Sequence, residues 1–302
     1  MSSKHSRYIN PLLDFSFKKI FGSDPNKDLL IDFLNEIFKG RKLIIDLVYN
    51  KNEHHGENKE EATAVFDLLC TGNLGEKFII EVQHSDPVNF KKRGIYYTSR
   101  LISQQAPKGR IKGWNYDITE VYFVGILEKP IDTNSADGRY LHDICLCYRQ
   151  SNEIFYEGLG YTYIDLSNFV KTKDECVSHL DNWLYSLKHL DEMDRLPPHL
   201  KKTIFEKLYN IAEYSKMTKS EQDMYDQDLK RKWDNDLAAW SSREKGLADG
   251  KIEGKIEGKI EGKIEGKLEN AREVAAKFKM KGIDPELIAE CTNLSIEEIE
   301  RL

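Results

Sequence analysis

The spacing of apolar positions predicts two helices followed by a β-hairpin in the first third of the chain. Residues 11–22 predict a short helix, and Asp24-Pro25 begins a second helix whose apolar positions recur at helical spacing until Gly40. Residues 42–49 predict a first strand. Residues 62–83, which read ATAVFDLLC, TGNLGEK and FIIEVQ, carry β-branched and aromatic runs on both sides of a polar turn with two glycines. This pattern predicts a hairpin.

Beyond the hairpin, the pattern predicts a helix, three strands and then helices alone. Residues 89–105 predict the helix. Residues 118–128 form a nearly continuous apolar run, typical of a strand in the middle of a sheet covered on both faces. Residues 139–149 and 153–163 predict two further strands, and from about residue 173 the pattern is helical. The sequence therefore predicts an α/β core with an all-helical C-terminal extension.

Residues 251–266 are four copies of KIEG. On a helix, a four-residue repeat keeps each residue type in one column, which drifts by about 40° per repeat, so the isoleucines form a stripe that Leu268 continues. Like charges meet four residues apart, and each Gly costs about 1 kcal/mol relative to Ala, so an isolated helix is marginal. The repeat is either a flexible spacer or a helix ordered by pairing with another chain. We favour self-association of the chain through this helix.

The last thirty or so residues predict three short helices, the second with Pro285 at its first position and the third capped by Ser295. The predicted organisation has four parts: an α/β core at 1–172, a helical extension at 173–245, the repeat helix or spacer at 246–269, and a small helical module at 270–302.

Composition is that of a globular chain. The 302 residues are 40% hydrophobic and 32% charged, which allows a sizeable core in one or two domains. The apolar run at residues 121–127 is far too short to span a membrane, and the polar first residues lack the apolar core of a signal peptide. The five cysteines are odd in number and lie mostly in apolar surroundings, which is typical of reduced thiols. We expect a cytoplasmic protein with no membrane partner.

The charge distribution is more informative than the net charge of -6, which opposes nucleic-acid binding. Between Asp86 and Asp117 there is no acidic residue. The basic residues of that interval are Lys91, Lys92, Arg93, Arg100, Lys108, Arg110 and Lys112. Charge alone is equally consistent with a DNA-facing surface and with a solvated helix.

Each strand of the predicted hairpin carries one carboxylate in an otherwise apolar run. Such a charge is costly unless it is paired, and a metal ion is a common partner. If the turn is centred on Leu74, Asp67 lies opposite Glu81, with Cβ atoms about 4.5–5.5 Å apart, which is close enough for both carboxylates to hold one hard cation. Because side chains alternate along a strand, Gln83 shares the face of Glu81, while Val82 points away.

At these residues the chain resembles the PD-(D/E)XK nuclease superfamily and, more closely, the Rpn-type recombination-promoting nucleases, also described as PD-(D/E)XK family transposases. The matching residues are Asp67 in AVFDLLC and Glu81 and Gln83 in IIEVQ, with Asp14 in the upstream segment DFSFKKIFG. The resemblance covers residues 8–302. It implies a restriction-endonuclease-like core, with a mixed central sheet flanked by helices, and a metal-dependent DNA endonuclease.

In this hypothesis Asp67, Glu81 and the backbone carbonyl of Val82 hold Mg²⁺, for which Mn²⁺ can substitute. Gln83 stands where the superfamily usually has Lys. A neutral amide can orient the attacking water but cannot lower its pKa by charge, so we expect weaker, more metal-reliant or even lost cleavage. Asp14 is either a further carboxylate at the metal site, as the resemblance allows, or an N-cap that accepts a bond from the backbone of a residue three positions on.

Arg93, Tyr97, Arg100 and Gln104 are spaced four, three and four residues apart, so they form one stripe of the predicted helix. The stripe, with Lys91 and Lys92 beside it, can present guanidinium groups, an amide and a stacking ring to DNA. The alternative is a half-buried helix whose arginines extend past the sheet edge. The R-Y-R-Q pattern also resembles the family, which favours DNA contact.

Two alternative functions differ in class from a nuclease. The first is a DNA-binding or assembly protein that keeps the nuclease fold without cleavage. The second is a protein scaffold built around the C-terminal helices, because the last predicted helix is too acidic to bind phosphate in the manner of a recognition helix.

Overall fold

The structure, a computed structural model, describes residues 6–51, 53–54, 64–84, 88–107, 115–131 and 138–302. Lys108, Arg110 and Lys112, counted above in the basic interval, lie outside the described residues. The strands are β1 (Leu47–Tyr49), β2 (Glu53–His54), β3 (Ala64–Val65), β4 (Leu68–Gly72), β5 (Lys77–Gln83), β6 (Val121–Leu127), β7 (Leu141–Cys147) and β8 (Ile154–Asp165). The helices are α1 (Asp14–Phe21), α2 (Lys27–Ile37), α3 (Phe90–Ser103), α4 (His179–His189), α5 (Thr203–Ile211), α6 (Lys219–Met280), α7 (Pro285–Thr292) and α8 (Ile296–Arg301).

Within the described residues, six strands form one sheet in the order β1-β4-β5-β6-β8-β7, and β2 pairs with β3 separately. Strands β5, β6 and β8 run parallel to one another. The pairs β1–β4, β4–β5 and β7–β8 are antiparallel. Apolar side chains cover both faces of β6, which explains its uninterrupted apolar sequence. The mixed central sheet flanked by helices that the resemblance implied is confirmed.

Each face of the sheet has its own apolar cluster. Phe78 and Ile80 of β5 pack in the larger cluster, with side chains from α1, α2, α4 and α5. Ile79 points to the opposite face, where Phe90 and Leu101 of α3 complete a second cluster. The alternation along β5 follows from the two-residue period of a strand, as the sequence predicted. Helix α3 therefore covers the face on which Glu81 and Gln83 are expected.

The predicted hairpin is present in the predicted register. Leu69 pairs with Ile79, and Leu68 pairs with Ile80. Gly75, at a positive φ of 90°, lies in the turn between the strands, a conformation that glycine adopts without strain.

The chain divides into two compact units, residues 1–235 and 236–302. In the second unit, Ala275, Ile288, Leu294 and Ile299 form a small core. The expectation of three short terminal helices is wrong for the first of them, because that segment continues α6, which runs for 62 residues. Helices α7 and α8 begin as predicted, with Pro285 at the first position of one and a Ser295 capping box in the other.

The KIEG repeat is helical and lies within α6. Its four isoleucines are 55–61% exposed. Among the helices of the described residues, none combines the length and the apolar character needed to cross a membrane.

Candidate active site

The β4–β5 hairpin brings Asp67 and Glu81 together. Asp67 immediately precedes β4, and Glu81 lies near the end of β5. The backbone N–H of Asp67 donates to Glu81 Oε1 over 3.1 Å, and the backbone N–H of Val82 donates to Asp67 Oδ2 over 2.7 Å. Each carboxylate is thus fixed by the backbone beside the other, so the two acidic groups share one location on the sheet.

Burial makes this pair electrostatically unusual. Glu81 is 4% exposed. Burial, reinforced by the nearby charge of Asp67, raises the pKa of Glu81 to about 8. Burial also raises the pKa of Asp67, although the hydrogen bond from Val82 opposes this shift. The charged form of both carboxylates is therefore disfavoured, and the pair retains a proton at neutral pH when no cation is bound.

Helix α3 places Arg93 against these strand residues. Arg93 Nη2 donates a hydrogen bond to Gln83 Oε1 and lies 3.9 Å from Glu81 Oε2. The guanidinium carbon is 4.5 Å from the centre of the Phe90 ring, a cation–π contact. The sequence pattern placed Arg93 on a DNA-facing stripe, and its contact with Gln83 was not predicted.

Asp14 is the first residue of α1, and its alternative role as N-cap is wrong. The N-cap residue is Leu13, whose backbone carbonyl accepts the Phe17 N–H over 2.8 Å. Asp14 instead forms an ion pair with Lys18, one turn further along the helix, over 2.7 Å. After burial and the backbone bond, the next influences on the pKa of Asp67 are Asp14, which raises it, and Lys18, which lowers it. Asp14 therefore lies within electrostatic reach of the pair, although its metal binding stays a prediction.

The other residues of the α3 stripe border the buried face of the helix. Tyr97 is half-buried and packs edge-on against Phe66, with ring centres 4.8 Å apart. Burial, and then the charge of Glu81, raises the pKa of Tyr97. Arg100 is half-buried, and Gln104 is exposed at the end of α3. Since the helix rises about 1.5 Å per residue, Arg100 lies about 10 Å beyond Arg93.

Lys91 and Lys92 are exposed at the start of α3. Their contact with phosphate stays a prediction. The predicted DNA-binding set therefore divides into two parts. Arg93 lies beside Glu81, and Tyr97 packs on Phe66, the residue before Asp67. Lys91, Lys92, Arg100 and Gln104 are spread along the helix.

The donor atoms at the pair fit a hard divalent cation. Carboxylate oxygens are the ligands that Mg²⁺ and Mn²⁺ prefer, and a cation in place of the retained proton would compensate the charges of both carboxylates. In the described part of the chain, no group of three or more His, Cys, Asp or Glu side chains is arranged to hold a metal. A cation here would therefore need ligands beyond the two carboxylates. The carbonyl of Val82 stays a predicted one.

A second polar cluster, not predicted from the sequence, lies at the ends of β5 and β6. His84 Nδ1 is 3.0 Å from Glu128 Oε2, and Lys232 Nζ lies 2.5 Å from the same oxygen. Burial alone would raise the pKa of Glu128, but these two hydrogen bonds lower it to about 2. The cluster ties the end of β6 to the start of α6. Glu128 ends an apolar run and His84 directly follows the EVQ segment, a placement that could have indicated it.

Of three comparisons with known proteins, the comparison with protein families gave a match. The family described as "PD-(D/E)XK nuclease family transposase" matches residues 11–240. Comparisons with curated proteins and with solved structures found no match. The matched region contains Asp14, the hairpin with its acidic pair, and helix α3.

Proposed function

Since the chain belongs to the PD-(D/E)XK nuclease family of transposases, we propose that it is a divalent-metal-dependent endonuclease that hydrolyses phosphodiester bonds in DNA. The observation that carries the proposal is the pair of crossed hydrogen bonds that hold Asp67 and Glu81 side by side in a buried site. Paired carboxylates of this kind suit a cation that acts on a phosphate.

In this proposal Asp67, Glu81 and the Val82 carbonyl hold Mg²⁺, or Mn²⁺ in its place, with Asp14 as a candidate further ligand. The chemistry expected of such a cation is polarisation of the scissile phosphate, activation of water and stabilisation of the leaving oxygen. The chain's own contribution begins with Glu81, which must lose its retained proton before it can bind a cation. Gln83 can orient water or a phosphate oxygen through its amide, but it cannot serve as an acid or a base at neutral pH.

DNA is the proposed partner of the α3 surface. Lys91, Lys92 and Arg100 would contact phosphates on either side of the acidic pair, and Gln104 would extend the contact along the helix. Tyr97 can contribute a ring edge, although its packing against Phe66 limits its freedom to stack on a base. The cytoplasmic location expected from the sequence stays a prediction.

The α6 repeat supports a second proposal, self-association. On a helix the Lys and Glu columns flank the isoleucine stripe on opposite sides. When two copies face each other in parallel, the Lys column of one lies beside the Glu column of the other, whereas antiparallel pairing brings like charges together. We therefore propose parallel pairing. Because the stripe drifts by about 40° per repeat, the contact covers a few repeats and not a long coiled coil.

The nuclease proposal is tested with supercoiled plasmid in the presence of Mg²⁺ or Mn²⁺. Asp67→Asn and Glu81→Gln preserve shape and should lower cleavage about 100-fold or more, because each removes a charge that holds the cation. The matched control is Asp143→Asn, which neutralises an exposed carboxylate on β7, at the edge of the sheet away from β5. This variant should cleave like the wild type.

The assay also separates the alternative functions. If the wild-type protein binds DNA but leaves the plasmid intact, the nuclease proposal gives way to a DNA-binding or assembly role. The neutral amide of Gln83 supports this alternative, because it cannot lower the pKa of the attacking water by charge. Wild-type protein that neither binds nor cleaves DNA would favour the scaffold role. Cleavage that persists unchanged in Asp67→Asn would show that the acidic pair is not the active site.

A further inference from the structure

Gln83 and Arg93 form a contact between the strand that carries Glu81 and the helix that covers it. Gln83 is the last residue of β5, and Arg93 lies in the first turns of α3. The Arg93 guanidinium donates to the side-chain oxygen of Gln83. The oxygen end of the amide therefore faces Arg93, and the nitrogen end, which can only donate, is turned away from it.

The position of Arg93 is set by packing. Its guanidinium lies over the ring of Phe90, which is 2% exposed and belongs to the cluster beneath α3. The Nε–H of Arg93 is buried and, within the described residues, has no hydrogen-bond partner. Its Nη2 is directed at Gln83 and lies 3.9 Å from Glu81 Oε2. An arginine held in this way has less freedom to follow a mobile phosphate than one on an open surface.

The two residues have complementary chemistry. Gln83 carries a donor and an acceptor but no charge, while Arg93 carries a permanent positive charge. A hydrogen bond from a charged donor to the amide oxygen polarises the amide, which makes its N–H groups stronger donors. Beside Glu81, Gln83 therefore supplies a polarised hydrogen-bond donor, and Arg93 supplies a fixed positive charge.

We propose that Arg93 is a positioning residue of the active site, which orients Gln83 and provides next to Glu81 the positive charge that Gln83 lacks. In this account Arg93 acts through Gln83 on the attacking water or the scissile phosphate, and it contributes little to the affinity for DNA. The inference rests on the proposed nuclease function. If this is correct, a positive charge moved from Arg93 on the helix to position 83 on the strand should still support cleavage.

The test compares Arg93→Gln, Gln83→Lys and the double variant Gln83→Lys/Arg93→Gln. Single-turnover cleavage of supercoiled plasmid at saturating protein reports the chemical step, filter binding reports DNA affinity, and Mn²⁺ titration at pH 9 reports the metal site. Arg93→Gln should slow cleavage about 10- to 100-fold, as expected for a residue that supports a site residue, with little change in DNA affinity or Mn²⁺ binding. The double variant should recover most of the lost rate, because the lysine side chain on the strand would carry the charge formerly on the helix.

Arg195→Gln removes an exposed positive charge outside the site and serves as the control, with wild-type rates expected. A double variant no faster than Arg93→Gln would overturn the inference. So would an Arg93→Gln variant whose DNA affinity falls while its single-turnover rate is unchanged, since that is the behaviour of a phosphate contact. If the wild type neither binds Mn²⁺ nor cleaves, it is the proposed function that fails, and this outcome is distinct from both of the others.

Discussion

Glu81 combines deep burial with a location beside a second carboxylate, and this combination makes its protonation central to the site. The proton that Glu81 retains at neutral pH would compete with a bound cation for the same oxygens. Since the pKa of Glu81 is raised to about 8, mainly by burial and then by Asp67, cation binding below that pH must release a proton.

We therefore predict that the affinity for Mn²⁺ rises between pH 6 and 8, by up to about tenfold per pH unit, and levels off above pH 8. Calorimetric titrations in buffers of different ionisation enthalpy should detect close to one proton released per cation at pH 7. An affinity that does not change over this interval would contradict the assigned protonation of the pair.

The same shift affects the stability of the cation-free protein. Because the pKa of Glu81 is raised by folding, its protonated form stabilises the folded state at low pH, and this contribution is lost as the pH rises from the ordinary value near 4.5 through about 8. Glu81→Gln keeps an acceptor for the Asp67 N–H and removes the titration. At pH 9, denaturant unfolding without metal should show the variant more stable than the wild type by about 1–3 kcal/mol.

The advantage of Glu81→Gln should disappear near pH 5, where the wild-type side chain is protonated. Addition of Mn²⁺ at pH 9 should stabilise the wild type more than the variant. A variant that is equally stable or less stable at pH 9 would mean that the wild-type carboxylate has a partner which compensates its burial.

Among the elements, the hairpin and α3 define the site, and they were predictable to different degrees. The hairpin was predictable from the sequence because two apolar runs, each with one carboxylate, flank a turn. The strand register then follows from the position of the turn centre. The contact of Arg93 with Gln83 was not predictable from the sequence, because it depends on how closely α3 approaches the sheet. That distance is set by side chains far apart in sequence.

Two glycines allow the close approach of α3. A Cβ atom at Gly94 of the helix would lie 2.8 Å from the Tyr163 hydroxyl, and one at Gly125 of β6 would lie 2.6 Å from a ring carbon of Phe90. Gly125 pairs with Glu81 in the parallel register of β5 and β6. The helix that carries Arg93 therefore packs directly over the strand position next to Glu81.

Gly125→Ala should destabilise the protein by about 1–3 kcal/mol, since the buried rings around it cannot move aside without strain. It should also reduce cleavage, because α3 and Arg93 would shift away from Gln83. Gly254→Ala is the matched control, at an exposed helix position where an added Cβ meets nothing within 4 Å. We expect the control to be neutral or stabilising by up to about 1 kcal/mol in thermal unfolding. Equal stability of Gly125→Ala and wild type would show that α3 does not depend on this contact.

Other elements differ from their predicted extents for physical reasons. The first strand was predicted at residues 42–49 but occupies only Leu47–Tyr49. Leu47 pairs with Gly72, the last residue of β4, so the residues before Leu47 have no β4 residue opposite them. The tail was predicted as separate helices, but α6 continues through residue 280. No Gly or Pro breaks the chain between the repeat and that point, whereas Gly282, at a positive φ of 76°, follows its end.

Over the full chain, a net charge of -6 coexists with a basic interval that follows the acidic pair. Net charge alone argues against DNA binding, whereas the basic interval is equally consistent with a DNA-facing surface and with a solvated helix. The sequence could not show how the repeat is used, because its helix propensity is marginal and its stripe gains stability only by contact with a partner.

We predict that the protein self-associates through the isoleucine stripe. Ile256→Lys/Ile260→Lys places charge in the stripe and should lower the mass measured by light scattering to that of a monomer. Gly254→Lys/Gly258→Lys adds the same charges in the Gly column, on the opposite side of the same helix, and should leave the mass of the wild type unchanged. Identical masses for the wild type and the isoleucine variant would remove this role from the repeat.

The proposed site requires that Asp67 and Glu81 jointly hold one divalent cation. Anomalous diffraction from crystals soaked in Mn²⁺ at pH 9 tests it most directly, because manganese is located without reference to activity. We expect an anomalous peak between the two carboxylates, lost in crystals of Glu81→Gln. A peak at another group of side chains, or no peak at the pair in protein that cleaves DNA, would contradict it.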